Sequence, residues 1–79
     1  MSVKEEVLGI IGKSLEVAVD ELVEDKKLYD SIGVDSTEMV EIVISLGKHF
    51  GIKIETNEVT KFSTPAEVVA LIENKKSQA

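Results

Sequence analysis

The first sixteen residues place Val3, Val7, Ile10, Ile11 and Leu15 at helical spacing, with Lys4, Glu5, Glu6 and Lys13 on the other faces. This predicts a helix over residues 3–16. Ser2 is its N-cap and Glu5, three residues on, completes a capping box. Gly9 and Gly12 each cost this helix up to about 1 kcal/mol relative to alanine and permit close packing. From Val17 to Val34 the period disappears. Glu24-Asp25-Lys26-Lys27 is a solvated charge cluster, and Leu22, Val23, Leu28 and Ile32 are expected to peg a long connection to the core. A second helix follows to Phe50, with Met39, Val43, Leu46 and Phe50 on its core face and Ile42 widening it.

Beyond Phe50 the chain reads as short pieces. Gly51 is the expected stop of the second helix. Ile52-Lys53-Ile54 reads as an extended link with alternate residues turned inward. One or two helical turns are expected over residues 56–61, with Val59 and Phe62 inward. Thr64-Pro65-Ala66-Glu67 is a strong start for the last helix: Thr cap, Pro at the first position, Glu at the third. Val68, Val69, Leu71 and Ile72 give its apolar face, and it is expected to fray over residues 75–79. The expected architecture is one all-α domain over residues 1–79. It is a four-helix bundle of three longer helices and one short helix before the last, with a long first loop.

The stretch Gly33-Val34-Asp35-Ser36-Thr37-Glu38 stands out within this pattern. Gly33 suits a tight turn. Asp35 is a good N-cap, and Glu38 completes an Asp-x-x-Glu box. A serine at a helix start is usually only a capping residue. Here Asp35 does the capping, so the Ser36 hydroxyl is left free at the first helical position. An anion attached there is favoured by about 0.3–1 kcal/mol through the helix dipole. Val40 and Ile44 fall away from the core face, alongside Thr37, Glu41 and Lys48. They read either as scattered surface apolars or as a docking patch.

Asp30-Ser31-Ile32-Gly33-Val34-Asp35-Ser36-Thr37 resembles the Asp-x-Leu-Gly-x-Asp-Ser-Leu signature of acyl carrier proteins, and chain length and apolar placing extend the resemblance over nearly the whole chain. Ile32 replaces the leucine conservatively, and Thr37 replaces the apolar residue after the serine with a smaller, polar one. The resemblance implies that Ser36, positioned by Asp35, carries 4′-phosphopantetheine, transferred from coenzyme A by a magnesium-dependent phosphopantetheinyl transferase. The thiol of that arm would hold acyl groups as thioesters, so the polypeptide would be a carrier and not an enzyme. The implied partners are acyl-transferring and acyl-modifying enzymes, met through Thr37, Glu38, Val40, Glu41, Ile44 and Lys48. Gly47 and Lys48 stand where many family members are acidic. The expected lining of an acyl pocket is Leu46, Ile54, Val59, Phe62 and Leu71. Fatty acid, polyketide or specialised lipid biosynthesis would be the setting. The alternatives are an aminoacyl or peptidyl carrier, and a helical interaction domain with no prosthetic group.

Composition narrows the field further. With 79 residues a single core is only marginally sufficient. There is no cysteine, so no disulfide or thiolate metal site can supplement it. Tyr29, Phe50 and Phe62 are the only aromatics, so the interior is mostly aliphatic, as suits either a core that admits an acyl chain or an ordinary small aliphatic bundle. Acidic residues outnumber basic ones by 15 to 9, with no arginine and a net charge of −6. That balance argues against nucleic acid and suits encounter with basic protein surfaces. No apolar run reaches membrane-spanning length and no signal-peptide layout is present, so a cytoplasmic location is expected; the chain is also expected to be a monomer. His49, the single histidine, reads as a boundary residue, with no second histidine or cysteine to build a triad or zinc site. An EF-hand reading of Asp30–Glu41 fails because Ile32 and Val34 fall where calcium needs oxygen ligands.

Overall fold

A computed structural model describes residues 2–55 and 57–78. The order is α1 (Val3–Leu15), a 3₁₀ turn (Val19–Glu21), α2 (Leu28–Ile32), α3 (Ser36–Phe50) and α4 (Pro65–Gln78). No strand occurs among the described residues. The fold is an all-α bundle with three long helices and one short one, in which α1 packs against both α3 and α4.

Each long helix starts where its capping chemistry dictates. Ser2 Oγ accepts from the Glu5 amide at 3.2 Å, and Glu5 Oε1 accepts from the Ser2 amide at 3.3 Å. At α4 the Glu67 amide donates to Thr64 Oγ1 at 3.1 Å, while the Thr64 amide donates to Glu67 Oε1 at 2.8 Å. α1 stops at Glu16, which takes left-handed angles (φ 57°, ψ 42°) normally left to glycine. The amides of Glu16 and Val17 both turn back to the Gly12 carbonyl. A side chain on Gly12 would put its Cβ 2.9 Å from the Val17 carbonyl oxygen. Gly12 therefore lets the chain fold back against the end of its own helix.

The core joins Val7, Leu8 and Ile11 of α1 to Met39, Ile42, Val43 and Leu46 of α3 and to Val68 and Ile72 of α4. Leu22, Leu28 and Val34 fasten the long connection to it, and Ile32 is partly buried against it. Val23, expected as a further peg, is instead exposed, because it precedes a turn closed by the Lys26 amide on its carbonyl.

The short helix lies elsewhere than expected. It is α2, immediately before the Gly33 turn, whereas Asn57–Val59 form turns; Thr56, in the segment expected to be helical, lies outside the described residues. The reason is hydrogen bonding across the chain. The Tyr29 amide donates to the Lys61 carbonyl at 2.8 Å and the Leu28 amide to the Ser63 carbonyl at 3.0 Å. These bonds pin residues 61–63 to the long connection, and the local bonds beside them close single turns, from the Glu58 amide to the Glu55 carbonyl and from the Ser63 amide to the Thr60 carbonyl. Val59 is buried as expected, but Phe62 is 54% exposed. The turn closed by the Ser63 amide on the Thr60 carbonyl sends the Phe62 ring outward, against Tyr29. α4 also runs further than expected, to Gln78. Lys75 pairs with Glu58 at 3.0 Å and Lys76 lies over the Phe50 ring at 5.3 Å, holding its last turns to the bundle.

Candidate functional site

The stretch from Asp30 to Thr37 is a sequence of fixed tasks. Gly33 closes α2 in left-handed geometry (φ 66°) and its amide donates to the Tyr29 carbonyl at 3.0 Å. No atom crowds the place of its missing Cβ, so backbone conformation alone explains the glycine. Val34 is buried and anchors the turn. Asp35 then caps α3: its Oδ1 accepts from the Glu38 amide at 2.8 Å, and its own amide donates to Glu38 Oε1 at 3.1 Å. Ser36 is the first residue of α3 and is exposed. Among the described residues no hydrogen bond engages its hydroxyl.

Ser36 opens onto a groove of about 280 Å³. Met39, Val40 and Val43 of α3 form one wall, and Val59, Thr60, Lys61 and Phe62 form the other. Of the residues expected around an acyl chain, only Val59 and Phe62 line this groove. Leu46 is fully buried in the bundle core, and Ile54 and Leu71 are half-buried against that core. The difference follows from residues 57–63: as turns bonded to the long connection, they bring Val59–Phe62 beside the first two turns of α3. Helical spacing assigns Met39 and Val43 to the core face of α3 without marking a groove, and nothing local distinguishes Thr60 or Lys61; the adjacent cationic and aromatic residues Lys61-Phe62, next to a buried Val59, were the one available signal.

The expected partner residues share one exposed side of α3. Val40 is 42% and Ile44 51% exposed, and Thr37, Glu41 and Lys48 are exposed around them. Glu38 is only half exposed, and its carboxylate is engaged by the Asp35 amide. Gly47 has a steric duty: a Cβ there would lie 3.0 Å from the Ile52 carbonyl oxygen, where the chain returns after α3. His49 is exposed, meets Glu6 at 3.2 Å and packs edge-on to Phe50, bridging α3 to α1. Among the described residues no His, Cys, Asp and Glu cluster could hold a metal ion, and no helix is long and apolar enough to cross a membrane.

A family model described as a phosphopantetheine attachment site matches residues 5–72. The chain is 39% identical over 74 residues to an acyl carrier protein of Campylobacter hominis, with 94% of each chain covered. The chain belongs to the acyl carrier protein family. It is also 36% identical to an acyl carrier protein of Akkermansia muciniphila, covering 91% of this chain and 90% of the relative. The acyl carrier protein of Thermotoga maritima is 35% identical, with 87% and 85% covered. The prosthetic group of this family is a covalent 4′-phosphopantetheine, and its members are carriers. An exposed hydroxyl without an internal partner, at the edge of an apolar groove, fits such a group: it is reachable by another protein, and nothing in the fold has to be given up to modify it.

Proposed function

We propose that Ser36 is the attachment residue and that this protein carries acyl intermediates of fatty acid, polyketide or specialised lipid biosynthesis. The observation that carries this reading is the division of labour at the start of α3. Asp35 does the capping, which leaves an exposed Ser36 hydroxyl beside the groove. Asp35 and Gly33 orient the root of the arm, and the apolar walls of the groove can shelter part of a cargo from water. When bound, the arm supplies a thiol that holds acyl groups as thioesters. The exposed side of α3 from Thr37 to Lys48 is the surface offered to the transferase and to acyl-transferring and acyl-modifying enzymes. The protein works as a cytoplasmic monomer that catalyses no step itself.

Intact-mass spectrometry tests the attachment residue. Incubation with coenzyme A and a phosphopantetheinyl transferase adds one phosphopantetheinyl group to the wild type and none to Ser36→Ala. A normal mass gain in Ser36→Ala would place the arm on another serine and end the assignment. The nature of the cargo is tested by melting a series of saturated acyl forms. Melting temperature should rise with chain length, because each buried methylene contributes at most about 0.8 kcal/mol. A flat series would show that the cargo stays outside the groove, as suits an aminoacyl or peptidyl carrier.

A further inference from the structure

Lys61 is the one charged residue among the described residues lining the groove. Its ammonium lies 5.1 Å from the Tyr29 ring centroid and 5.4 Å from that of Phe62. The two rings are tilted against each other with centroids 6.0 Å apart. The backbone beneath is fixed too, since the Lys61 carbonyl accepts from the Tyr29 amide at 2.8 Å. Aromatic faces attract a cation but accept no strong hydrogen bond from it, so the three N–H donors of Lys61 stay available. Among the described residues no carboxylate pairs with this ammonium. Tyr29 is 49% exposed and meets Phe62 at the Lys61 ammonium, and Lys61 and Phe62 share the groove with Ser36.

We propose that Lys61, held between Tyr29 and Phe62, is a cationic latch for the phosphodiester of the prosthetic arm, folding the arm's root back along the groove. The inference rests on Ser36 being the attachment residue. A phosphodiester keeps one negative charge at any working pH, and the overall field of an acidic protein pushes such a group outward. Lys61 reverses that push locally, at the rim of an apolar groove where water is partly displaced. Charge-assisted hydrogen bonds to a phosphoryl oxygen are the strong kind available to an ammonium. The apolar part of the arm's first segment then lies against Val40 and Phe62. Lys27 also faces Phe62, at 5.9 Å, but it does not line the groove and acts at most on the ring.

The test uses the holo protein, its single modification checked by intact mass. The chain has no cysteine, so a nitroxide maleimide labels the arm's thiol alone. In the wild type at low salt, the ³¹P resonance of the phosphodiester should be displaced from that of free pantetheine phosphodiester. The nitroxide should attenuate the amide signals of Val40 and Phe62. Lys61→Gln should shorten the time spent closed by about two- to fivefold, the range expected for a partly exposed ion pair. Added salt should do the same to the wild type, Lys61→Arg should restore most of the effect, and Lys53→Gln should change nothing. Unchanged ³¹P shift and attenuation in a folded Lys61→Gln protein of full holo mass would overturn the latch alone. Absence of any mass gain on the wild-type protein would overturn the Ser36 reading, and the latch with it.

Discussion

Asp35 and Glu38 exchange hydrogen bonds across the first turn of α3, each side chain accepting from the other's amide, at 2.8 Å and 3.1 Å. The exchange satisfies two backbone donors that a helix start otherwise leaves unpaired. It also separates the structural load of this turn from its chemistry, because Ser36 between them bears none of it. Asp35→Ala should therefore destabilise the protein by about 1 kcal/mol. Ser36→Ala should stay within about 0.5 kcal/mol of the wild type, as for an exposed position without partners. Thermal or urea unfolding measures both. A Ser36→Ala protein as damaged as Asp35→Ala would mean that the serine is a structural residue after all.

Glu16 ends α1 in a left-handed conformation that costs a residue with a Cβ about 1–2 kcal/mol. Glu16→Gly removes that strain, offset in part by the greater freedom of glycine in the unfolded chain. The expected net result is a gain of about 0.5–1 kcal/mol, seen as a raised melting temperature. A loss of stability would show that the Glu16 side chain has a compensating role.

Glu58 is held below its ordinary pKa, first by the Glu55 amide and then by the Lys75 ammonium. A carboxylate whose pKa is lowered by folding contributes stability above its unfolded pKa and loses it as pH falls through the lowered, folded value. Melting temperatures followed from neutral pH into the acid range should show this loss. In Glu58→Gln the difference from wild type should be present at neutral pH and vanish in acid. A difference that persists undiminished in acid would assign the effect to packing.

Glu41, Val40 and Ile44 offer an apolar patch with negative charge on one side of α3, while Lys48 further along weakens that field. We expect a dedicated enzyme set, since a basic groove suited to a uniformly acidic carrier is poorly matched here. Lys48→Glu should raise turnover by general fatty acid synthesis enzymes and Glu41→Lys should lower it. The effect should act chiefly on association at low salt, because an exposed pair contributes only about 0–1 kcal/mol. If the wild type already serves those enzymes fully and Lys48→Glu changes nothing, the protein is a general carrier.

Helix α3 was legible residue by residue because its signals are local: an aspartate cap, a glutamate three residues on, an apolar stripe and a terminal glycine. The same holds for Ser2 with Glu5 and Thr64 with Glu67. Residues 57–63 were not legible. Their course is set by amides of Leu28 and Tyr29, far away in sequence, and no local pattern announces such a bond. This one error carried through to the groove, whose second wall is built from that segment. It also hid Lys61, an ordinary lysine until Tyr29 and Phe62 are placed around it.

Two backbone hydrogen bonds, from Leu28 to Ser63 and from Tyr29 to Lys61, make the support of Ser36 and the far wall of the groove one piece. A load that wedges Val59–Phe62 away from α3 must either break those bonds or pull α2 and the Gly33 turn along with it. Under the proposed function, what lies in the groove would be felt at Ser36, the root of the arm. By thermodynamic reciprocity, an enzyme that grips that root alters how tightly the load is held. Delivery and retention in this small domain would then be two readings of one equilibrium, shared through a pair of peptide groups.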